Sequence, residues 1–341
     1  MAYRFYLNDK EQHMKYSFKN LALSGGGVWG IAYLGMLAEL EQAGALPQIQ
    51  RVIGSSAGAI SSMLISFGLS AAQTKDLADS LDYRKIPQKV ASALPSNLDA
   101  AFNAFKPFAP KANLEDFVCL LRLFNKKGWY SSDYFYHWLK DIAASQFKDG
   151  RQDKKYTFAD FANPALHKNE RPFRELFVTG CDAPAQKSMV FSAELTPDVE
   201  VAEAVRISMS IPFFFEAQNF TYPGQEAGVF VDGGTMWNYP INFFDDKYSS
   251  ETVLGARFTH QSCQKSDRNL IEHIADISHC VMAVQTQNYD QSRQDQGRSI
   301  NIDTGQVKAT DFNIQPNDPV YQQLYQAGAI ATRAFLSRCE Q

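Results

Sequence analysis

The sequence predicts an α/β protein in which helices cover a parallel sheet. Phe18 to Ser24 is a short apolar strand ending in Gly25-Gly26-Gly27; Val28 to Ala43 then carries apolar residues at helical spacing, and Gly44 stops the helix. Ile49 to Ile53 repeats the pattern, a short strand turning through Gly54-Ser55-Ser56-Ala57-Gly58 into a helix that runs to about Phe67. Two successive strand-turn-helix units need crossover connections, which a parallel sheet provides. The composition agrees: 45% of the 341 residues are apolar, with only 20 glycines and 14 prolines, enough for a large core in one big domain or two ordinary ones.

From Leu69 to Gly150 the signals are mainly helical, for example Leu114 to Phe124 and Tyr134 to Ala144, interrupted by Pro87, Pro95, Pro107 and Pro110. This reads as a helical insertion over about residues 70–150. Strands return at Glu175 to Gly180, Met189 to Ser192, Gly228 to Asp232 and Thr252 to Ala256. Helices are expected over Val201 to Met209, Asn269 to Gln285 and Pro319 to Arg338, and the polar, Gln-rich Asn288 to Arg298 reads as a mobile loop. There is no internal repeat. The division expected is an N-terminal extension over residues 1–16 and one main domain over 17–341.

With 33 basic and 37 acidic side chains the formal charge is −4, which argues against a protein that tracks nucleic-acid phosphates. Cys119, Cys181, Cys263, Cys280 and Cys339 are scattered, without a CxxC pair, so no disulfide framework or zinc site is expected and a reducing compartment fits. Met1 to Asn20 has no apolar stretch of the kind found in a cleaved leader. Ala57 to Ala72, the longest weakly polar run, is too short and too serine-rich to span a bilayer. The expected location is therefore the cytoplasm, or export without a cleaved signal peptide, with any membrane contact peripheral.

Gly54-Ser55-Ser56-Ala57-Gly58 is a G-x-S-x-G motif where a strand passes into a helix. Gly54 and Gly58 let the chain bend sharply at this nucleophile elbow, and Ser56 projects at a helix N-terminus, where developing negative charge is favoured. The string alone is often an ordinary turn; its context makes Ser56 a candidate nucleophile. Gly25, Gly26 and Gly27 expose consecutive amides without side chains, candidates for an oxyanion hole. A dinucleotide fingerprint through Gly25, Gly27 and Gly30 is the rival reading. It requires an acidic residue near the end of the next strand, and none is there. A P-loop is excluded because no Gly-Lys-Ser or Gly-Lys-Thr follows. A third element, Val229-Phe230-Val231-Asp232-Gly233-Gly234, delivers an aspartate into a glycine loop, although Asp-Gly by itself is also a common hairpin turn.

Taken in order, these elements resemble the patatin-like phospholipases, whose pattern joins a G-G-G-x-[RK]-G loop, a G-x-S-x-G nucleophile and a D-G-[GA] aspartate. The resemblance runs from about Asn20 to Ile241 and includes Ala204-Val205-Arg206-Ile207-Ser208 through Ile211-Pro212. It implies a three-layer α/β/α fold with a mainly parallel central sheet, and a lipid acyl hydrolase of the phospholipase A or lysophospholipase type. Ser56 would be the nucleophile, Asp232 its base, the amides of Gly25, Gly26 and Gly27 the oxyanion hole, and Gly233 and Gly234 the aspartate loop. The implied partner is a phospholipid or other acyl-lipid substrate; the sequence names no protein activator. Acyl transfer by these groups needs no metal or other cofactor, so none is expected. Trp29 departs from the pattern, standing where the family usually has Arg or Lys.

A Ser-Asp dyad works only if the aspartate, ordinarily with a pKa near 3.9, gains proton affinity by burial. The competing mechanism is a Ser-Asp-His triad, for which His260, His273 and His279 follow Asp232 in the required order. A different class is a catalytically silent lipid-binding or signalling module, to which Trp29 is the one pointer. For the dyad, activity is expected to fall on acidification without the histidine-type loss between about pH 6 and 7. Arg84 to Lys127 carries eight basic and three acidic residues. Phe102, Phe105 and Phe108 lie close by, suited either to an anionic membrane surface or to closing the core; Phe213-Phe214-Phe215 reads as wall or core rather than a membrane wedge.

Overall fold

A computed structural model describes residues 16–89, 98–107, 110, 113–222, 226–260 and 292–339, with positions 273, 276, 277, 280, 281 and 283–285. The strands among these residues are β1 (Asn20–Leu23), β2 (Arg51–Gly54), β3 (Gly128–Tyr130), β4 (Glu175–Asp182), β5 (Lys187–Ser192), β6 (Phe213–Phe215), β7 (Gln218–Phe220), β8 (Gly228–Asp232), β9 (Val253–Thr259) and β10 (Ser299–Asp303). The principal helices are α1 (Ile31–Gln42), α2 (Ala57–Ser66), α3 (Ala71–Asp79), α4 (Leu98–Phe105), α5 (Leu114–Lys126), α6 (Asp133–Ser145), α7 (Phe158–Phe161), α8 (Val201–Ser208), α9 (Gly234–Trp237), α10 (Arg293–Gly297) and α11 (Pro319–Cys339).

The central sheet has the order β10-β9-β1-β2-β4-β8-β7, with β5 also paired to β4. Strands β10, β9, β1, β2 and β4 are mutually parallel, and β5, β8 and β7 add antiparallel pairs. The expected mainly parallel sheet is thus present. Its central strands read as short apolar runs because both faces are buried. Leu21, Leu23, Val52 and Val178 face the large core with Met36 of α1, Met63 of α2, Val205 of α8 and Phe335 of α11. Ala22, Ile53 and Phe177 face the other side, under Tyr239, Ile241 and Phe244 from the chain after β8. Helices α1 and α11 meet backbone to backbone: a Cβ on Gly35 would stand 1.9 Å from the Tyr325 carbonyl oxygen, and one on Gly328 would stand 1.8 Å from that of Ala32.

The helical stretch between α2 and β4 is present as α3 to α6, and part of it forms a separate small cluster. Leu98, Phe117 and Val118 are buried together there, with Phe102 and Phe105 packed against them. The two phenylalanine rings lie 5.6 and 5.0 Å from that of Phe117. Phe102 and Phe105 therefore close a local core; Phe108 lies outside the described residues. One expectation is corrected. In the segment read as a mobile loop, Arg293–Gly297 is a helix and Arg298 is buried, its guanidinium paired at 2.6 Å with both Asp245 and Asp295. Polar composition misled over residues 292–298 because they are consumed by a capped helical turn and an ion-pair anchor for β10; residues 288–291 lie outside the described residues. The expected helix over Asn269 to Gln285 falls largely outside the described residues. No helix among the described residues is long and apolar enough to cross a membrane.

Candidate active site

Ser56 lies between the end of β2 and the start of α2 with φ 52° and ψ −121°, a region that residues with a Cβ rarely occupy. The surrounding structure holds this elbow in place. The Ser56 amide donates to Ser208 Oγ at 2.9 Å, and the amides of Gly58 and Ala59 donate back to the Ser55 and Ser56 carbonyls. Gly58 sits where a Cβ would come within 2.4 Å of the Leu23 carbonyl oxygen, so α2 passes directly over the end of β1. Gly54 is equally confined, against the carbonyl of Gly58.

The pairing of β4 explains how residues 176 positions apart meet. Strand β5 pairs with Phe177 to Asp182 along one edge of β4, so β2 and β8 share the other. Strand β2 ends with Gly54 opposite Val178, while β8 runs the opposite way and ends with Asp232 opposite Gly180. The two strand ends thus point at each other across Thr179. The Ser56 hydroxyl donates to Asp232 Oδ2 at 2.6 Å, and the Gly234 amide donates to Asp232 Oδ1 at 2.6 Å. The chain before β6 braces both partners: the Asp232 amide donates to the Ser210 carbonyl and the Gly233 amide to the Ser208 carbonyl. Gly233 has no room for a side chain, since a Cβ would stand 2.1 Å from Thr179 Oγ1.

Asp232 is 1% exposed and Ser56 4%. Burial pushes the Asp232 carboxyl up to about 7, against the opposing hydrogen bonds from Ser56 and the Gly234 amide. This corrects the pH expectation. A carboxylate so placed titrates in the window usually assigned to histidine, so an acid limb near neutrality does not identify the base.

In the glycine turn, the Gly25 amide donates to the Asn238 carbonyl at 3.1 Å. The amides of Gly26 and Gly27, and that of Ala57 beside Ser56, meet no protein acceptor among the described residues. Gly27 has φ +55°, and a Cβ there would be 2.1 Å from the Ala309 carbonyl oxygen, which also accepts from the Val28 amide. Trp29 is buried beside it, its indole Nε1 donating to the Val307 carbonyl at 2.7 Å. Where the family pattern has a cation, this chain has an aromatic anchor for the loop. Arg206 does not replace that charge, because its guanidinium binds Ser132 Oγ and Asp133 Oδ1. Both carboxylate oxygens of Asp232 are engaged without a histidine. His260 lies against the Trp29 ring, His273 is exposed, and His279 is outside the described residues.

Ser56 and Gly27 open on a cavity walled mainly by Ile31, Ile60, Leu64, Trp138, Phe215 and Phe312. Its lining is almost wholly apolar, suited to a hydrocarbon chain. Sequence reasoning missed Ser208 and Thr179. Ser208 lay within the small-residue stretch already noticed, but only the fold shows what it holds.

Fold and site together place the chain among α/β proteins with a buried serine-carboxylate pair facing an apolar cavity. Within that class, residues 21–245 match the family model for patatin-like phospholipases, and the chain belongs to this family. It is 26% identical over 324 residues to the uncharacterized protein YqhO of Bacillus subtilis (strain 168), spanning 92% of this chain and 97% of that one. A probable lipid hydrolase, 463L, of Invertebrate iridescent virus 6 is 25% identical over 225 residues, 66% of this chain and 62% of its own length. Among solved structures, VipD from Legionella pneumophila is similar with a TM-score of 0.59 at 17% identity, over 94% of this chain and 67% of VipD, a likeness of fold.

Proposed function

We propose that this protein is a lipid acyl hydrolase of the phospholipase A or lysophospholipase type, with Ser56 as nucleophile and Asp232 as its base. The observation that carries the reading is the 2.6 Å hydrogen bond from Ser56 Oγ to Asp232 Oδ2, made in the wall of an apolar cavity. Family membership and the likeness to a probable lipid hydrolase support the substrate class.

Asp232 accepts the hydroxyl proton as Ser56 Oγ attacks the ester carbonyl carbon. The oxygen that becomes negative is stabilised by the open amides of Gly26 and Gly27, with that of Ala57 and the α2 N-terminus adding to the field. Because Gly25 spends its amide on Asn238, it supports the loop rather than donating. As the tetrahedral intermediate collapses, the ester C–O bond breaks and Asp232 returns the proton to the leaving oxygen. Water then attacks the acyl-enzyme carbonyl, losing a proton to Asp232, and Ser56 leaves and takes that proton back. A base with a pKa near the working pH suits both half-reactions, and neither needs a metal or cofactor.

The test is labelling by a fluorophosphonate probe, with analysis of lipid cleavage products, for wild type, Ser56→Ala and Asp232→Ala. Labelling and free fatty acid release that disappear in both variants support the reading. Equal, background labelling of wild type and Ser56→Ala in the presence of liposomes overturns it.

A further inference from the structure

We propose that the surface around the C-terminal end of α5 docks this protein on an anionic phospholipid bilayer, with Phe124 and Phe213 entering the interface and Lys126 and Lys127 meeting its charge. The inference rests on the lipid-substrate reading above and names the face on which that substrate is met.

Phe124 is 77% exposed and Phe213 56%, the two most exposed phenylalanines on the described surface. They are far apart in sequence, but β6 pairs with β3 so that Phe213 lies opposite Gly128, just beyond the end of α5. The Ala217 amide also donates to the Lys126 carbonyl. Arg122 makes this platform rigid. Its buried guanidinium pairs with Glu216 at 2.8 Å and donates to the carbonyls of Gln88, Lys89 and Trp129. Lys126 and Lys127 are exposed and have no carboxylate within ion-pair distance among the described residues.

Phe213 is also strained, with φ +64°. An aromatic residue held in the left-handed region while most of its ring faces water costs folding free energy twice, and such outliers persist where the surface has a use. The chain around it links that use to the reaction. Ser208 and Ser210 brace Ser56 and Asp232, Ile211 and Phe215 line the cavity, and Phe213 stands outside between them. One continuous segment therefore runs from the nucleophile's support through the acyl-chain wall to the exposed ring. Aromatic side chains flanked by lysines suit the boundary between acyl chains and anionic headgroups. A second copy of this chain would bring four lysines together, so the bilayer is the fitting occupant.

The experiment is flotation of the full chain with phosphatidylcholine vesicles, with and without phosphatidylserine, alongside melting temperature and turnover of a short-chain soluble ester. Wild type is expected to float with the anionic vesicles. Phe124→Ser and Phe213→Gly are each expected to lower the partition coefficient about tenfold, and Lys126→Glu with Lys127→Glu to abolish the preference for phosphatidylserine. Phe213→Gly is expected to melt no lower than wild type, because glycine accepts the backbone conformation. Flotation of these variants equal to wild type overturns the proposal. So does a concentration-dependent dimer that Phe213→Gly disperses, which would assign the surface to self-association. Soluble-ester turnover without flotation of wild type sinks the docking surface alone, whereas flotation without turnover sinks the hydrolase reading alone.

Discussion

Ser56 and Asp232 are both held in states that cost the folded protein free energy. For Ser56 the cost is conformational, of order 1–3 kcal/mol for a residue at such φ and ψ. Ser56→Gly is therefore expected to unfold at a higher denaturant midpoint than Ser56→Ala, being more stable by about 1 kcal/mol, although neither can form an acyl-enzyme. Equal midpoints would show that the elbow is unstrained. For Asp232 the cost is electrostatic, and its sign follows from the raised pKa of about 7. Below pH ~3.9 the group is protonated in folded and unfolded chains alike. Between there and pH 7 the unfolded chain ionises while the folded one stays protonated, so stability falls as pH rises and levels off above 7. Asp232→Asn is expected to remove that slope, a gain on the order of 4 kcal/mol at pH 8 relative to pH 4, read from denaturant unfolding at the two pH values. With Asp232 as the proposed base, wild-type activity follows its ionised form. It is expected to rise with pH through about 7 and to keep that midpoint in His260→Ala and His273→Ala; a midpoint that vanishes in either variant would restore the triad.

At the scale of elements, the site is a junction of strand ends, and the end of α8 with the segment that follows it clamps the junction. Ser208→Ala leaves the buried Ser56 amide without its acceptor, expected to cost about 1–3 kcal/mol of stability. Because the elbow then loses its fixed geometry, kcat is expected to fall more than KM rises. In the glycine turn, Gly27→Ala drives a methyl group against the Ala309 carbonyl and displaces the open amides. A loss of about 100-fold in kcat with the fold retained, measured by steady-state kinetics and circular dichroism, is the expected outcome; near-normal kcat would remove this turn from the oxyanion hole. The two early strand-turn-helix units were legible because Gly25-Gly26-Gly27 and Gly54 to Gly58 punctuate local apolar patterns. Strand β10 was not legible, since the polar residues of α10 before it carry no apolar period and Arg298 is anchored by Asp245, far away in sequence.

At the scale of the whole molecule, the cavity relates α2 to the sheet and the helical insertion. Ser56 and, along one side of α2, Ala57, Ile60, Ser61 and Leu64 line it, so the distance from Ser56 to Leu64 is about 12 Å at 1.5 Å per residue. Helix α2 can therefore act as a ruler for the acyl chain. Ile60→Trp is expected to leave turnover of short esters nearly unchanged and to reduce that of long-chain esters at least tenfold; a parallel loss on all chain lengths would show that the chain lies elsewhere. What the sequence by itself determined are the parts with local causes: the glycine turns, the serine between a strand and a helix, the aspartate entering a glycine loop, and the strands buried on both faces. What only the tertiary structure decided is how those parts act on one another. Strands β2 and β8 meet head to head on one edge of β4, which is a property of pairing order and leaves no periodic trace in either strand. The proton affinity of Asp232 was likewise set by the fold, because the removal of water around a carboxylate depends on everything packed over it and not on its neighbours in the chain.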